Sequence, residues 1–418
     1  MPRVSGSSSA GFQIDLAAPP GWTYAAGDTI IGTLARRLPI VTPDASVTLV
    51  LIGQVRSKIT ASRNQNHPSH YLAQWTLWPP KRMTIYNGPL HIPESSDQDH
   101  LLSWPFSVTI PEGPVRSALG GHSQGASFLP LDESEIAQHS LPGTFFSSGI
   151  SFSTSSEGIV EYYLEAELRY NRGPSLEIRK AVASIKMRQP GVGTAIVSHD
   201  LKHHATEVKV QSQRLFPEME NAELTVKQKA QKIVGLSKVP EFWFNVDLVH
   251  PTIVQIGDAS PIPVYLRIIP QKEKTSVSIR DATQRIQVNW VKMRIQADTI
   301  LLASGNFTTR VHQDSHTACY DLGLEDAFPR LERPVMISCN KDTGEGSVDI
   351  GNVLQLVLHE NGLSTGNWPL RKVSTIYPDF ITYSIRHRHW AEWEVSLTVA
   401  GETMKVRMRT SLRVVAAS

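Results

Sequence analysis

The sequence predicts an all-β protein of antiparallel sandwiches. Period-2 alternation of apolar and polar residues recurs along the chain. Helical periodicity is scarce. Turn-forming residues are abundant, with 27 Gly and 27 Pro among 418 residues. Strands spaced along the whole length, with few helices between them, point to antiparallel sheets rather than βαβ units.

The strands read off in order. Phe106, Val108 and Ile110 alternate with Ser107 and Thr109, and Pro111 stops the run. Val160, Tyr162, Leu164, Ala166, Leu168 and Tyr170 share one face, with Glu161, Glu165, Glu167 and Arg169 on the other. That pattern predicts one buried and one wet face. Phe242, Phe244, Val246 and Leu248 alternate with Asn245 and Asp247. Trp393, Val395, Leu397 and Val399 form another core face. Gly401 marks a turn, after which Met404, Val406 and Met408 alternate with Lys405, Arg407 and Arg409. The best helical candidate is 221–234, and short helices fit the 114–140 stretch. Long loops are expected at 61–70, 114–150, 191–207 and 302–345, with the serine-rich run Ser147 to Ser156 mobile.

Composition narrows the function classes. Hydrophobic residues make up 40% and charged residues 19%, enough for a packed core. The 41 basic and 39 acidic residues give a net charge of +2, which marks no nucleic-acid partner. Two cysteines, Cys319 and Cys339, exclude a disulfide scaffold and a four-cysteine zinc site. No cofactor motif is present. No apolar run approaches the ~18 residues of a membrane span, and the N-terminus has no signal-like apolar core. The expectation is a protein of a reducing compartment.

Two halves emerge: 1–225, a lysine-rich linker at 226–238, and 239–418. They open alike. Tyr24-Ala25-Ala26-Gly27-Asp28-Thr29-Ile30-Ile31-Gly32 reads strand, turn, strand, with Gly27 supplying the turn and Asp28 bonding backbone nearby. In the second half, Ile256-Gly257-Asp258 precedes Ile262-Pro263-Val264-Tyr265-Leu266 in the same sense. Ser46 to Gly53, Trp104 to Pro111, and Leu141-Pro142-Gly143-Thr144-Phe145 leading into Val160 to Leu168 complete a pattern that resembles the arrestin family, in its fungal arrestin-like branch. The likeness extends to Val246–Leu248, Pro251 and Gly257, and is clearest over residues 10–190.

The resemblance implies two tandem immunoglobulin-like antiparallel sandwiches and a non-enzymatic cytoplasmic adaptor. Such proteins bind the cytoplasmic tails of membrane proteins for ubiquitination, endocytosis or sorting, at the plasma membrane or endosomes. A retromer-type sorting subunit is an alternative of the same fold, and an enzyme built on the scaffold is an alternative of another class. The family's Pro-Pro-x-Tyr contact to a ubiquitin ligase is absent: Pro19-Pro20 is followed by Gly21-Trp22, and Pro79-Pro80 by Lys81-Arg82. Any ligase would have to be recruited without it.

Each candidate site has a plainer alternative role. Gly121-His122-Ser123-Gln124-Gly125 fits the G-x-S-x-G nucleophile pattern, with His139 or His199 as conceivable bases. Ser123 lacks the apolar strand before it and the helix after it, so a glycine-rich loop is favoured. His199, Asp200, His203 and His204 suggest a metal site only if helical, and no Glu completes a His-Glu-x-x-His pattern. His387 and His389 would share one strand face, with Arg386, Arg388 and Trp390 on the other as a patch for an acidic partner or the polar end of a strand. Lys227, Lys229 and Lys232 of the linker could touch anionic lipid or remain solvated. Sandwich edges accept an added strand, and the first half offers Phe12, Ile14 and Leu16 along its N-terminal strand.

Overall fold

The computed structural model describes residues 11–62, 68–92, 102–115, 123–136, 138–191, 199–219, 239–305, 308–339, 346–366 and 368–416. The strands, in chain order, are β1 (Phe12–Leu16), β2 (Thr29–Arg36), β3 (Ile40–Ser62), β4 (Pro68–Thr76), β5 (Arg82–Ile92), β6 (Leu102–Thr109), β7 (Phe145–Ile150), β8 (Thr154–Arg172) and β9 (Ser175–Ile185). Then come β10 (Leu201–Gln211), β11 (Glu241–Pro251), β12 (Ile253–Gln255), β13 (Tyr265–Pro270), β14 (Gln284–Gly305), β15 (Thr308–Asp321), β16 (Val335–Cys339) and β17 (Gly346–Asp349). The chain closes with β18 (Leu356–His359), β19 (Gly362–Thr365), β20 (Trp368–Lys372), β21 (Phe380–Ile381), β22 (Ile385–Val399) and β23 (Glu402–Val415). Two single-turn helices, α1 (Glu133–Ile136) and α2 (Ile350–Leu354), are the α-helical elements among the described residues. The protein is all-β, with several antiparallel sheets.

Two compact units divide the chain. One comprises Met1–Pro190, Asp298–Thr317 and Phe380–His387; the other comprises Gly191–Ala297, Ala318–Asp379 and Arg388–Ser418. The candidate helix 221–234, the linker 226–238 and with it Lys227, Lys229 and Lys232 lie outside the described residues.

In the first unit β2 lies between β1 and β6. A second sheet centres on β3, which pairs with β4, β5 and β8, while β8 also pairs with β7 and β9. Gly27 adopts φ +80 and the Asp28 carboxylate accepts the Ala25 N–H at 2.7 Å, closing the turn expected there. Trp75 stacks on Tyr383 at 4.8 Å, and the Tyr162 hydroxyl donates to the Pro142 carbonyl at 2.6 Å. The apolar face of β8 is buried as expected. Its other face is not wholly wet: Glu161 and Glu167 are buried too. Glu161 accepts hydrogen bonds from Gln54 and Arg56, both at 2.7 Å, which offsets the cost of burying its charge.

In the second unit β10, β11, β13 and β17 form one sheet. β22 pairs with β14 and β23, and β12 joins β23 in parallel. Phe242, Phe244, Val246 and Leu248 of β11 share one apolar core with Val291, Met293 and Ile295 of β14 and Trp393, Val395 and Leu397 of β22. Burying a residue of this size contributes roughly 1.5–3 kcal/mol.

All four expected loops overlap strands. The ends of β3 and β4 enter 61–70, β10 begins at Leu201 inside 191–207, β14 to β16 run through 302–345, and β7 lies within 114–150. Among the described residues β10 pairs with β11, and its first half is exposed and mostly polar, so apolar alternation shows only from Val208 onward. Ser147 and Ser156 are not in a mobile run: they stand on the paired strands β7 and β8. Their neighbours explain why. A Cβ on Gly149 would run into His316, and one on Gly158 would lie 2.7 Å from Leu301. Small residues are needed where a second layer packs this closely.

Candidate functional site

β1 is the edge strand of its sheet. It pairs antiparallel with β2 in the register Phe12↔Arg36 to Leu16↔Gly32, and among the described residues β2 is the one strand it pairs with. Close approach of β1 depends on Gly32, because a Cβ there would lie 2.5 Å from the Asp15 carbonyl and 2.6 Å from the Phe106 ring. Gly11, at φ +70, turns the chain into the strand, and its carbonyl accepts the Arg37 N–H at 2.9 Å.

Alternation sets two faces on β1. Phe12 is fully buried and anchors the strand, whereas Ile14 and Leu16 on the same face are only half-buried. On the opposite face Gln13 donates to both Asp15 carboxylate oxygens, at 3.0 and 2.8 Å. Arg36, opposite Phe12, is buried and donates to the Leu38 carbonyl at 3.2 Å. Burial lowers its pKa, opposed by Tyr170 and Glu177. Glu177 in turn accepts the Tyr170 hydroxyl at 2.9 Å and pairs with Arg179 at 2.6 Å. The Tyr170 bond leads in holding the Glu177 carboxyl below its usual range, with Arg179 assisting against desolvation.

Chemically this is a strand with one edge that carries no strand partner among the described residues. It offers backbone donors and acceptors and two half-open apolar side chains. An extended peptide laid along it would extend the ladder and fit alternate side chains beside Ile14 and Leu16.

The other sequence candidates stand apart from β1 in the roles they show. Ser123 is exposed, with φ −86 and ψ 152, and opens a three-residue 3-10 turn, Gln124–Ala126, without a side-chain cap bond. The turn ends at the extended Ser127, so no helix follows Ser123, and a nucleophile elbow requires one. The first unit's strands pair antiparallel around it. His139 N–H bonds the Ile136 carbonyl just past the end of α1. His199 and His203 do not converge on one ligand site. His199 Nδ1 lies 3.4 Å from the Ile253 carbonyl, and His203 Nδ1 lies 3.0 Å from the Asp247 carboxylate. No group of three or more His, Cys, Asp or Glu side chains fit to hold a metal ion occurs among the described residues. His387 and His389 are buried and Arg388 and Trp390 exposed, which is the alternation the sequence indicates.

One cluster was not legible in the sequence. His316 of β15 places Nε2 2.6 Å from Ser147 Oγ and Nδ1 3.0 Å from Ser156 Oγ. Thr299 lies 3.4 Å from Ser147 and 2.9 Å from His387 Nδ1. Phe145 packs edge-on against His387 at 5.0 Å. Ser147 and His316 have the distance of a nucleophile and its base, yet the second imidazole nitrogen meets a serine rather than an orienting carboxylate. The cluster joins β7, β8, β14, β15 and β22 through hydroxyl–imidazole hydrogen bonds. Nothing in spacing along the chain signals residues this far apart.

Compared with known proteins, the sequence matches no protein-family model and shows no significant similarity to a curated protein.

Proposed function

We propose that this chain is an arrestin-like adaptor of two tandem immunoglobulin-like sandwiches, and that it captures the cytoplasmic tails of membrane-protein cargo along β1. The observation that carries the reading is the geometry of that strand. Among the described residues it has one strand partner, β2, with a buried Phe12 anchor and Ile14 and Leu16 half-open beside the edge. Strand addition requires backbone donors and acceptors plus pockets for alternate side chains, and β1 presents both. Antiparallel pairing supports the sandwich part of the reading, while the two compact units each take three segments that interleave along the chain. In this reading the protein works in the cytoplasm, at the plasma membrane or endosomes. It presents cargo for ubiquitination, endocytosis or sorting, with a ligase recruited through a contact other than Pro-Pro-x-Tyr.

The test is affinity capture from the protein's own cells with the wild-type chain and with Ile14→Pro. Proline removes a ladder donor in the middle of β1. Enrichment of transporters, ligase subunits or coat proteins with the wild type, lost with Ile14→Pro, supports the adaptor. Enrichment of soluble biosynthetic enzymes, unaffected by the substitution, overturns it.

A further inference from the structure

The last strand of the second unit carries a different surface. β23 pairs with β22 from Glu402 to Leu412. On its far side it meets β12 only at Arg413, Val414 and Val415. From Glu402 to Leu412 that edge therefore has no strand partner among the described residues.

Its side chains alternate strictly. Val406, Met408, Thr410 and Leu412 are buried, while Lys405, Arg407, Arg409 and Arg413 are exposed. Arg407 keeps 72% of its side-chain surface in water. β22 adds the exposed Arg388 and Trp390 on the same outward face. Arg409 lies over the Trp390 ring at 5.2 Å, and Lys405 over Trp290 at 5.2 Å. Within this strip the carboxylates are Glu394, which takes Arg407 at 3.0 Å and Lys405 at 3.8 Å, and Glu392, in register with Arg409. Five cations thus face two carboxylates, in a chain whose overall charge is nearly balanced.

We infer that β23 is a docking edge for an extended acidic peptide of a partner protein, added as a further strand beyond β23. Lys405, Arg407 and Arg409 stand roughly 6.8 Å apart, the repeat of a strand, with Ser411 in the next outward position before Arg413, so a peptide with Asp or Glu at alternate positions meets them in step. The backbone edge supplies the ladder, the cations supply sign, and Trp390 supplies an apolar platform. A charged edge also keeps copies of a chain from pairing with each other. That role requires neither the added strand nor a preference for acidic sequence, and the experiment separates the two.

The probe is a synthetic peptide alternating Glu with Thr or Val, titrated into the full chain by fluorescence anisotropy, with hydrogen exchange locating the contact. The expected result is saturable binding and slowed exchange in β23. Binding should weaken about ten-fold in Arg407→Gln/Arg409→Gln, and again on raising salt well above the physiological level. Lys405→Gln/Arg413→Gln should weaken it as well, which guards against a folding defect in either variant. Methylating alternate peptide amides preserves charge but blocks the ladder, and should abolish binding. Equal binding of the methylated peptide, or no binding even at low salt, overturns the proposal. So does binding of phosphatidylserine vesicles in place of the peptide. Slowed exchange in β1 instead of β23 overturns it too, while leaving the β1 reading intact.

Discussion

Ser147 and His316, 169 positions apart, are joined by a 2.6 Å hydrogen bond. The imidazole lies between two hydroxyls, since Ser156 holds its other nitrogen at 3.0 Å. Burial pushes the His316 pKa down, and the nearby Asp314 only partly opposes this. A histidine lowered in the folded state adds stability that is complete above its unfolded pKa of about 6.5 and is lost as pH falls toward the folded value. Urea unfolding followed from pH 7.5 to pH 5 should show stability declining below about pH 6.5, with His316→Gln flattening part of that decline. An unchanged slope in the variant would remove His316 from the account.

Gly149 tests the packing of the same cluster. A Cβ at this position meets His316 directly, whereas one at Gly125 meets nothing within 4 Å. Gly149→Ala should cost about 1–3 kcal/mol, as overpacking does, and Gly125→Ala much less. Thermal melting of the two variants reads the difference.

The two cysteines should differ sharply in reactivity. Cys339 is buried in the second unit's core, and desolvation pushes its thiol up to about 11. Cys319 is exposed. Alkylation of the native protein at mildly alkaline pH should modify Cys319 alone, with Cys339 reacting only after unfolding. Peptide mapping by mass spectrometry decides.

Phe12 and Ile14 should separate stability from binding. Phe12 is fully buried, so Phe12→Ala should cost about 3–5 kcal/mol. Ile14 is half-buried, and Ile14→Ala should cost far less while weakening capture of an extended peptide. Denaturant unfolding of both, beside peptide titration of Ile14→Ala, checks the separation.

The apolar strand faces were legible because alternation survives wherever one face is buried. Val160 to Tyr170 on β8 and Phe242 to Leu248 on β11 are the clearest cases. What alternation concealed was burial of the opposite face. Glu161 is buried against Gln54 and Arg56, and Asp247 against His203 and Arg267, and a charged residue in a strand reads as wet until its partner is known. β10 was legible only at its C-terminal end, where Val208 and Val210 alternate with Glu207 and Lys209, and β15 was hidden because most residues on both of its faces are polar. The edge at Phe12–Leu16 was legible as a strand from its apolar spacing. That it stands at an edge was expected from sandwich topology rather than from its own residues, because pairing partners are set by topology. The Ser147–His316–Thr299 cluster is tertiary throughout.

The most direct test of the adaptor reading is amide hydrogen exchange on the full chain, with and without cytoplasmic-tail peptides of the membrane proteins recovered by affinity capture. The account predicts exchange slowed along Phe12–Leu16 by the tail peptide and unaffected by a scrambled control, because an added strand ties down the amides on that edge. Unchanged exchange across Phe12–Leu16, with the peptide demonstrably bound, would contradict it.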